Sequence, residues 1–241
     1  MKSKGLSDVG KVRQNNEDSF YCNNDDKLFL VADGLGGHTA GEIASKIAVD
    51  LVVSNRPKTL EDLVDSLSQA NTRVFEEAQV LGNDMATTMS AMIIDEDKAY
   101  IAHVGDSRIY LVRGSSIHCI TNDHTPVMDS LRAGLITEEQ AKYHPLKHML
   151  SRTVGTHQSV EIDPIIVELL PEDVFILCTD GLSNLLENED IFFIVKANHE
   201  IDPDVITKDL VDTALERGGI DNTTVVVVYL EKHDIEVSEM E

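Results

Sequence analysis

Hydrophobic positions recur with two different periods along the chain, and each change of period marks an element. Phe29, Leu30, Val31 and Ala32 form a short continuous apolar run, which reads as a buried strand ended by Asp33. Ile43, Ala44, Ile47, Ala48 and Leu51 then fall at helical spacing over 40–53, and Leu60, Leu63, Val64, Leu67, Val74, Phe75 and Ala78 do so over 60–80. Two amphipathic helices are predicted. The segments TTMSAMIID, AYIAHVGD, SRIYLVRG and SIHCI that follow are short, β-rich and divided by turn sequences such as DEDK and RGSS, which predicts consecutive antiparallel hairpins. Residues 121–150 lose the strand pattern and keep one short helical piece over 137–142, so 124–150 reads as a flap inserted between strands. Strands resume at IDPIIVEL and VFILCTDGL. A helix over 190–197 is followed by another that has Asp202 as N-cap and Pro203 in its first turn and stops at Gly218 and Gly219. TTVVVVYL closes the chain's regular structure.

Strands and helices come in runs and not in strict alternation, which predicts an α+β fold on antiparallel sheet. The near-continuous apolar strands need cover on both faces. A four-layer α-β-β-α sandwich, two mainly antiparallel sheets flanked by helix pairs, meets that need. With 241 residues and no linker composition, a single domain over 1–231 is expected, followed by an acidic tail, 232–241, expected to fray.

Composition narrows the function. Acids outnumber Lys plus Arg by 43 to 20, a net charge of −23, which repels nucleic acid and anionic membranes. No apolar run approaches a membrane span and the first residues do not resemble a signal peptide, so a cytoplasmic protein is expected. Cys22, Cys119 and Cys178 are far apart and form no Cys-x-x-Cys pair, which indicates neither a disulfide framework nor a zinc site.

The stretch FLVADGLGGHTAGE combines a buried strand, an acid and four glycines. It is not a phosphate-binding P-loop, because Gly36 to Gly41 is followed by Glu42 and not by Lys. Its beginning recurs: VFILCTDGL carries Asp180, Gly181 and Leu182 in the order of Asp33, Gly34 and Leu35. Asp106 ends another strand, in IAHVGDSR, and Asp221 precedes the last one. Singly, each reads as a turn former. Together they are acids at strand ends, where residues distant in sequence can meet. Unpartnered carboxylates so gathered raise one another's pKa, and divalent cations remove that cost. An all-oxygen donor set points to Mg²⁺ or Mn²⁺ over Zn²⁺. Upstream, VRQNNEDSFY offers Arg13 to grip a phosphate and Glu17 or Asp18 to complete a metal shell.

The ordered segments RQNNEDSF, VADGLGGHTAGE, MATTMSAM, AHVGDSRIYLVR, TNDHT, RAGLITEEQAKYHP, LSRTVG, CTDGL and DNTTVVVV resemble the metal-dependent serine/threonine protein phosphatases of type 2C, in their compact bacterial form. The resemblance spans nearly the whole chain. It implies a β-sandwich with a binuclear Mg²⁺ or Mn²⁺ centre at one end. Asp33 would bridge the two metals, Asp180 and Asp221 would hold one, and Glu17 with the Gly34 carbonyl the other, with Asp18 supporting. Asp123 matches an acid that binds a third, weaker metal together with Asp180, and Arg13 matches the phosphate-gripping arginine. Arg13, Asp33 and Asp180 are therefore the candidate catalytic residues. Such a centre would activate a water for in-line attack on phosphorus, without a covalent phosphoenzyme.

Two positions depart from the family pattern. Leu35 stands where the eukaryotic branch has a histidine after Asp-Gly, so the leaving-group acid is unassigned, with His38 a candidate. Ala86 stands where a glycine is usual before Thr87 and Thr88. The expected function is hydrolysis of phosphoserine and phosphothreonine in proteins, opposing a bacterial Ser/Thr kinase, by a monomer. A catalytically silent phosphoprotein-binding module of the same fold is the alternative, and a phosphatase of small esters a third reading.

Overall fold

The computed structural model describes residues 1–36, 40–198 and 200–234. In chain order the strands are β1 (Lys2–Asp8), β2 (Ser19–Asn23), β3 (Leu28–Ala32), β4 (Gly34–Leu35), β5 (Ala86–Thr87), β6 (Met89–Asp95), β7 (Lys98–Val104), β8 (Arg108–Arg113), β9 (Ser116–Cys119), β10 (Asp163–Glu168), β11 (Val174–Cys178) and β12 (Thr223–Tyr229). The helices are α1 (Ala40–Asn55), α2 (Leu60–Leu81), α3 (Pro126–Arg132), α4 (Glu138–Lys142), α5 (Asp180–Ser183), α6 (Asn188–Ala197) and α7 (Pro203–Glu216).

Two five-stranded antiparallel sheets form the sandwich, one in the order β1-β12-β11-β8-β9 and the other β10-β7-β6-β3-β2. Alternation along β12 shows why its valine run is so long. Val226 and Val228 face the other sheet, packing with Phe29, Val31 and Ile101. Val225 and Val227 face outward, against Ile191 and Val195 of α6 and Ile206 and Leu210 of α7. On the opposite side Leu30, Met89, Ala91 and Ile93 pack under Ala44, Ala48, Leu63, Leu67 and Val74 of α1 and α2. The four layers expected from the apolar strands are present, and each such fully buried Val, Leu or Ile contributes about 1.5–3 kcal/mol relative to exposure.

Local signals set the helix ends. Thr59 caps α2 in a reciprocal box with Asp62, and Gly82 closes it in the left-handed region at φ 65°. Asp202 caps α7 through the Asp204 N–H, with Pro203 following. Some elements lie outside the sequence expectation, among them the short β4 and α5. Both β1 and β2 are edge strands of partly buried residues, and β1 carries one large apolar side chain, Leu6, so neither shows a strong period. Within the flap, α3 precedes the expected α4, started by Thr125, whose hydroxyl accepts the Met128 N–H, and by Pro126. Lys232–Asp234 forms a turn in which Glu231 and Asp234 pair with the Met1 amine. The rest of the tail expected to fray, 235–241, lies outside the described residues.

Ala86 is buried opposite Leu35 in a two-stranded ribbon, β4 with β5. The ribbon accommodates its methyl. Among the described residues, no helix is long and apolar enough to cross a membrane.

Candidate metal centre

The strand ends converge at one end of the sandwich, and backbone clamps fix them there. Asp33 follows β3. Its N–H donates to Thr88 Oγ1 at 2.9 Å, and its carbonyl accepts the Thr88 N–H at 2.9 Å and the Thr87 hydroxyl at 2.8 Å. Thr88 Oγ1 also lies 2.6 Å from Ser107 Oγ, which links Asp33 to the turn that carries Asp106.

The glycines serve close approach. A Cβ on Gly34 would stand 2.2 Å from the Gly41 carbonyl oxygen and 2.5 Å from that of Glu17, so the loop before β2, the end of β3 and the start of α1 touch backbone to backbone. Glu17 is thereby held beside the positive end of α1. The second Asp-Gly works in the same way: a Cβ on Gly181 would meet the Asn222 carbonyl at 1.9 Å, which seats α5 on the entry to β12 and brings Asp180 to Asp221.

Asn222 joins the loop of Arg13 and Glu17 to this seat. Its Oδ1 accepts the Glu17 N–H at 2.8 Å, and its Nδ2 donates to the carbonyls of Val9 at 3.0 Å and Asn15 at 2.9 Å. Asp18 is held from the other sheet, its Oδ2 accepting the hydroxyls of Thr179 at 2.8 Å and Thr224 at 2.6 Å. Asn184 donates to Asp180 Oδ2 at 3.0 Å.

Negative charge accumulates here beyond what the neighbouring arginines, Arg13 and Arg108, offset. Burial holds the Asp33 carboxyl well above the usual carboxylate range, and the charges of Asp18, Asp180 and Asp106 push the same way. Burial, then the charge of Asp221, raises Asp180. Asp18 is raised by burial, against the pull of its two threonine hydroxyls. Asp106 is pushed up to about 7 by burial and then by Asp180 and Asp123. Two oxygens in this group, Asp18 Oδ1 and Asp180 Oδ1, are buried with no hydrogen-bond partner among the described residues. Buried carboxylate oxygens left without partners are costly. The orphaned oxygens and the all-oxygen donor set fit a hard divalent cation, Mg²⁺ or Mn²⁺.

The two arginines of the region are engaged. Arg13 Nη2 donates to Asp221 Oδ2 at 2.7 Å. Arg108 takes both oxygens of Asp123, Nε to Oδ1 at 2.8 Å and Nη2 to Oδ2 at 2.6 Å, and donates to the Tyr110 hydroxyl at 3.0 Å. Asp123 thus lies in the pocket that holds Asp106 and Asp180, with its charge offset by Arg108. Asp106 forms no ion pair among the described residues. Of the flap, His148 alone lines the cleft that contains Arg13, Glu17, Asp33, Gly34, Asp180 and Asp221, and the neighbouring pocket under the flap shares His148 and Asp180 with it. Lys142 ties the flap to Glu187, before α6, at 2.7 Å. His38, weighed as leaving-group acid, lies outside the described residues.

Every acid named as a candidate metal ligand in the sequence is at this end of the sandwich. The residues that the sequence did not disclose are the ones that hold them: Asn222, Thr179, Thr224 and Arg108. Asn222 stands in the segment DNTTVVVV, which marked Asp221 and left its neighbour unread.

This arrangement belongs to a known class. The model of the protein phosphatase 2C family matches residues 10–213. The chain is 35% identical over 243 residues to the protein phosphatase PhpP of Streptococcus pneumoniae, covering 96% of this chain and 98% of that protein. The crystal structure of the Mycobacterium tuberculosis serine/threonine phosphatase PstP superimposes with a TM-score of 0.89 at 32% identity, covering 95% of this chain and 98% of that one. The PstP catalytic domain in complex with two manganese ions gives 0.85 at 31% identity, covering 95% and 98%. The chain belongs to the protein phosphatase 2C family. It is an enzyme, a metal-dependent hydrolase of that family.

Proposed function

We propose that this phosphatase removes phosphate from phosphoserine and phosphothreonine in proteins, using two divalent cations held by Glu17, Asp33, the Gly34 carbonyl, Asp180 and Asp221. The observation that carries the reading is the pair of orphaned carboxylate oxygens, on Asp18 and Asp180, beside Asp33. When bound, such cations supply a water acidic enough to lose a proton near neutral pH and offset the charge of the phosphoryl group. Asp33, fixed by Thr87 and Thr88, faces both Asp18 and Asp180 and suits the bridging position. Asp18, anchored by two hydroxyls, supports the shell. Among the described residues Arg13 makes its one side-chain hydrogen bond through Nη2 to Asp221, which holds the fork beside the cleft and leaves its other guanidinium nitrogens to take a phosphoryl oxygen. Asn184 orients Asp180 so that Oδ1 stays available.

A third, weaker cation would be met by Asp180 together with Asp123 or Asp106. Asp106 is better placed, because Arg108 already neutralises Asp123. Either Mg²⁺ or Mn²⁺ suits these oxygens. The partners are phosphorylated proteins in the cytoplasm and the Ser/Thr kinase that modifies them, and the enzyme acts as a monomer. The silent binding module would lack an acid among Asp33, Asp180 and Asp221, and all three are present.

Titrating metal-free protein with Mn²⁺ by calorimetry tests the ligand set. We expect at least two ions per chain for the wild type and fewer for Asp180→Asn. One ion or none in the folded wild type would overturn the binuclear assignment. Comparing a phosphothreonine peptide with free phosphoserine tests the substrate class. Equal kcat/KM on both would favour small esters.

A further inference from the structure

His124 opens the flap and is fully buried, and no step of the proposed reaction uses it. Its backbone N–H donates to the Gly105 carbonyl at 2.8 Å, and its own carbonyl accepts the N–H of Ser151, just past the flap's other end, at 2.8 Å. Gly105 returns a hydrogen bond, its N–H donating to His124 Nδ1 at 3.0 Å. A ring nitrogen that accepts carries no hydrogen, so the neutral imidazole bears its proton on Nε2, and that atom faces Asp163 Oδ2 on β10 at 3.2 Å. Arg152 holds the other oxygen of Asp163 at 2.8 Å. Behind the ring stands His103, with centroids 4.8 Å apart, itself fixed by Ser90 Oγ at 2.8 Å and the Asn122 carbonyl at 3.0 Å.

One residue therefore joins both ends of the flap, the edge strand β10 and the residue before Asp106. We propose that His124 is a positioning residue, which holds the Gly105–Asp106 turn and the flap base in one frame so that the Asp106 carboxylate is presented to Asp33 and Asp180. The inference rests on the carboxylate-centre reading and assigns it a support outside the ligand set. Buried groups that orient a metal site in this way are worth about 10–100-fold in affinity or activity.

Two variants separate the two ring nitrogens. His124→Asn places an amide oxygen near the Nδ1 position, keeping the Gly105 contact, and is too short for Asp163. His124→Gln reaches toward Asp163 and leaves the Gly105 N–H without its acceptor. The readouts are hydrogen exchange at the Gly105 amide in metal-free protein, Mn²⁺ binding by paramagnetic resonance, and kcat and KM on a phosphothreonine peptide. For the Gln variant we expect faster Gly105 exchange, Mn²⁺ binding weakened about tenfold and kcat lowered about tenfold with KM little changed. The Asn variant is expected to keep Mn²⁺ binding and kcat near wild type. Wild-type behaviour of a folded Gln variant, or equal losses in Asn and Gln, would overturn the role of His124. Should the Gln variant not fold, His124→Ala carries the test: it too leaves the Gly105 N–H without its acceptor, and faster Gly105 exchange with weaker Mn²⁺ binding than in the Asn variant supports the proposal, while values equal to those of the Asn variant overturn it. Asp33→Asn, assayed alongside, keeps the two readings apart, since retained Mn²⁺ binding and activity there would overturn the carboxylate centre itself.

Discussion

Asn222 Oδ1 accepts the backbone N–H of Glu17 at 2.8 Å, across 205 residues of sequence, and the same side chain donates to the Val9 and Asn15 carbonyls. The loop bearing Arg13 and Glu17 is thus hung on the segment that carries Asp221. Asn222→Ala removes all three bonds from a buried site, where each group left unpaired costs about 1–3 kcal/mol. We expect a lower melting temperature and a fall in kcat/KM of about 10–100-fold. Asn222→Asp keeps the acceptor and loses the donors, so it should fall between. Unchanged turnover in Asn222→Ala would show that Glu17 needs no such support.

Arg13 is half exposed, so its role can be tested apart from folding. Arg13→Lys keeps the charge and loses the planar fork, and losing one hydrogen bond to a charged group costs about 1.5–3 kcal/mol, roughly 10- to 100-fold in kcat/KM. Phosphate should inhibit the variant more weakly, with the melting temperature nearly unchanged. Full activity in Arg13→Ala would remove it from the phosphate site.

Stability of the metal-free protein should depend on pH in a direction set by the buried acids. Unfolded, an aspartate ionises near 3.8, whereas folding raises Asp33 well above that and Asp106 to about 7. The folded state then binds more protons than the unfolded one across this interval, so stability present below about pH 4 is lost as the pH rises through the raised values. In EDTA the melting temperature should fall between pH 5 and pH 8. Mn²⁺, binding only the folded and ionised site, should reverse the trend, and Asp33→Asn should flatten the slope in EDTA. An identical slope in that variant would place the titrating groups elsewhere.

Gly34→Ala tests the backbone contact directly. With a Cβ 2.2 Å from the Gly41 oxygen, neither neighbour is a flexible side-chain end, and we expect destabilisation of about 3 kcal/mol or more, read as a lower denaturant midpoint. A midpoint equal to wild type would mean that the loop before β2 can withdraw.

Much of this centre was legible in the sequence because strand ends and acids coincide there: Asp33 and Asp180 each follow a fully apolar strand and precede Gly-Leu. The layers were legible for a related reason, since a run such as that of β12 needs partners on both faces. Edge strands β1 and β2 were not, because partly buried strands carry little period. The Arg108–Asp123 pair depends on how β8 pairs with β9, and a hairpin's register is fixed by its turn geometry and not by either residue. Asp106 and Asp123 therefore looked alike as letters, and only their neighbours distinguish them. Asn222, Thr179 and Thr224 act through hydrogen bonds between segments distant in sequence, for which no local pattern exists.

The most direct test is phosphate release from a phosphothreonine peptide by the wild type and Asp180→Asn, first with Mn²⁺ and then with excess EDTA. Release by the wild type that stops with EDTA, and that falls by at least about a hundredfold in the folded variant, is the expected result. Release that persists in EDTA, or a folded Asp180→Asn as active as the wild type, would contradict a carboxylate-held metal centre as the seat of catalysis.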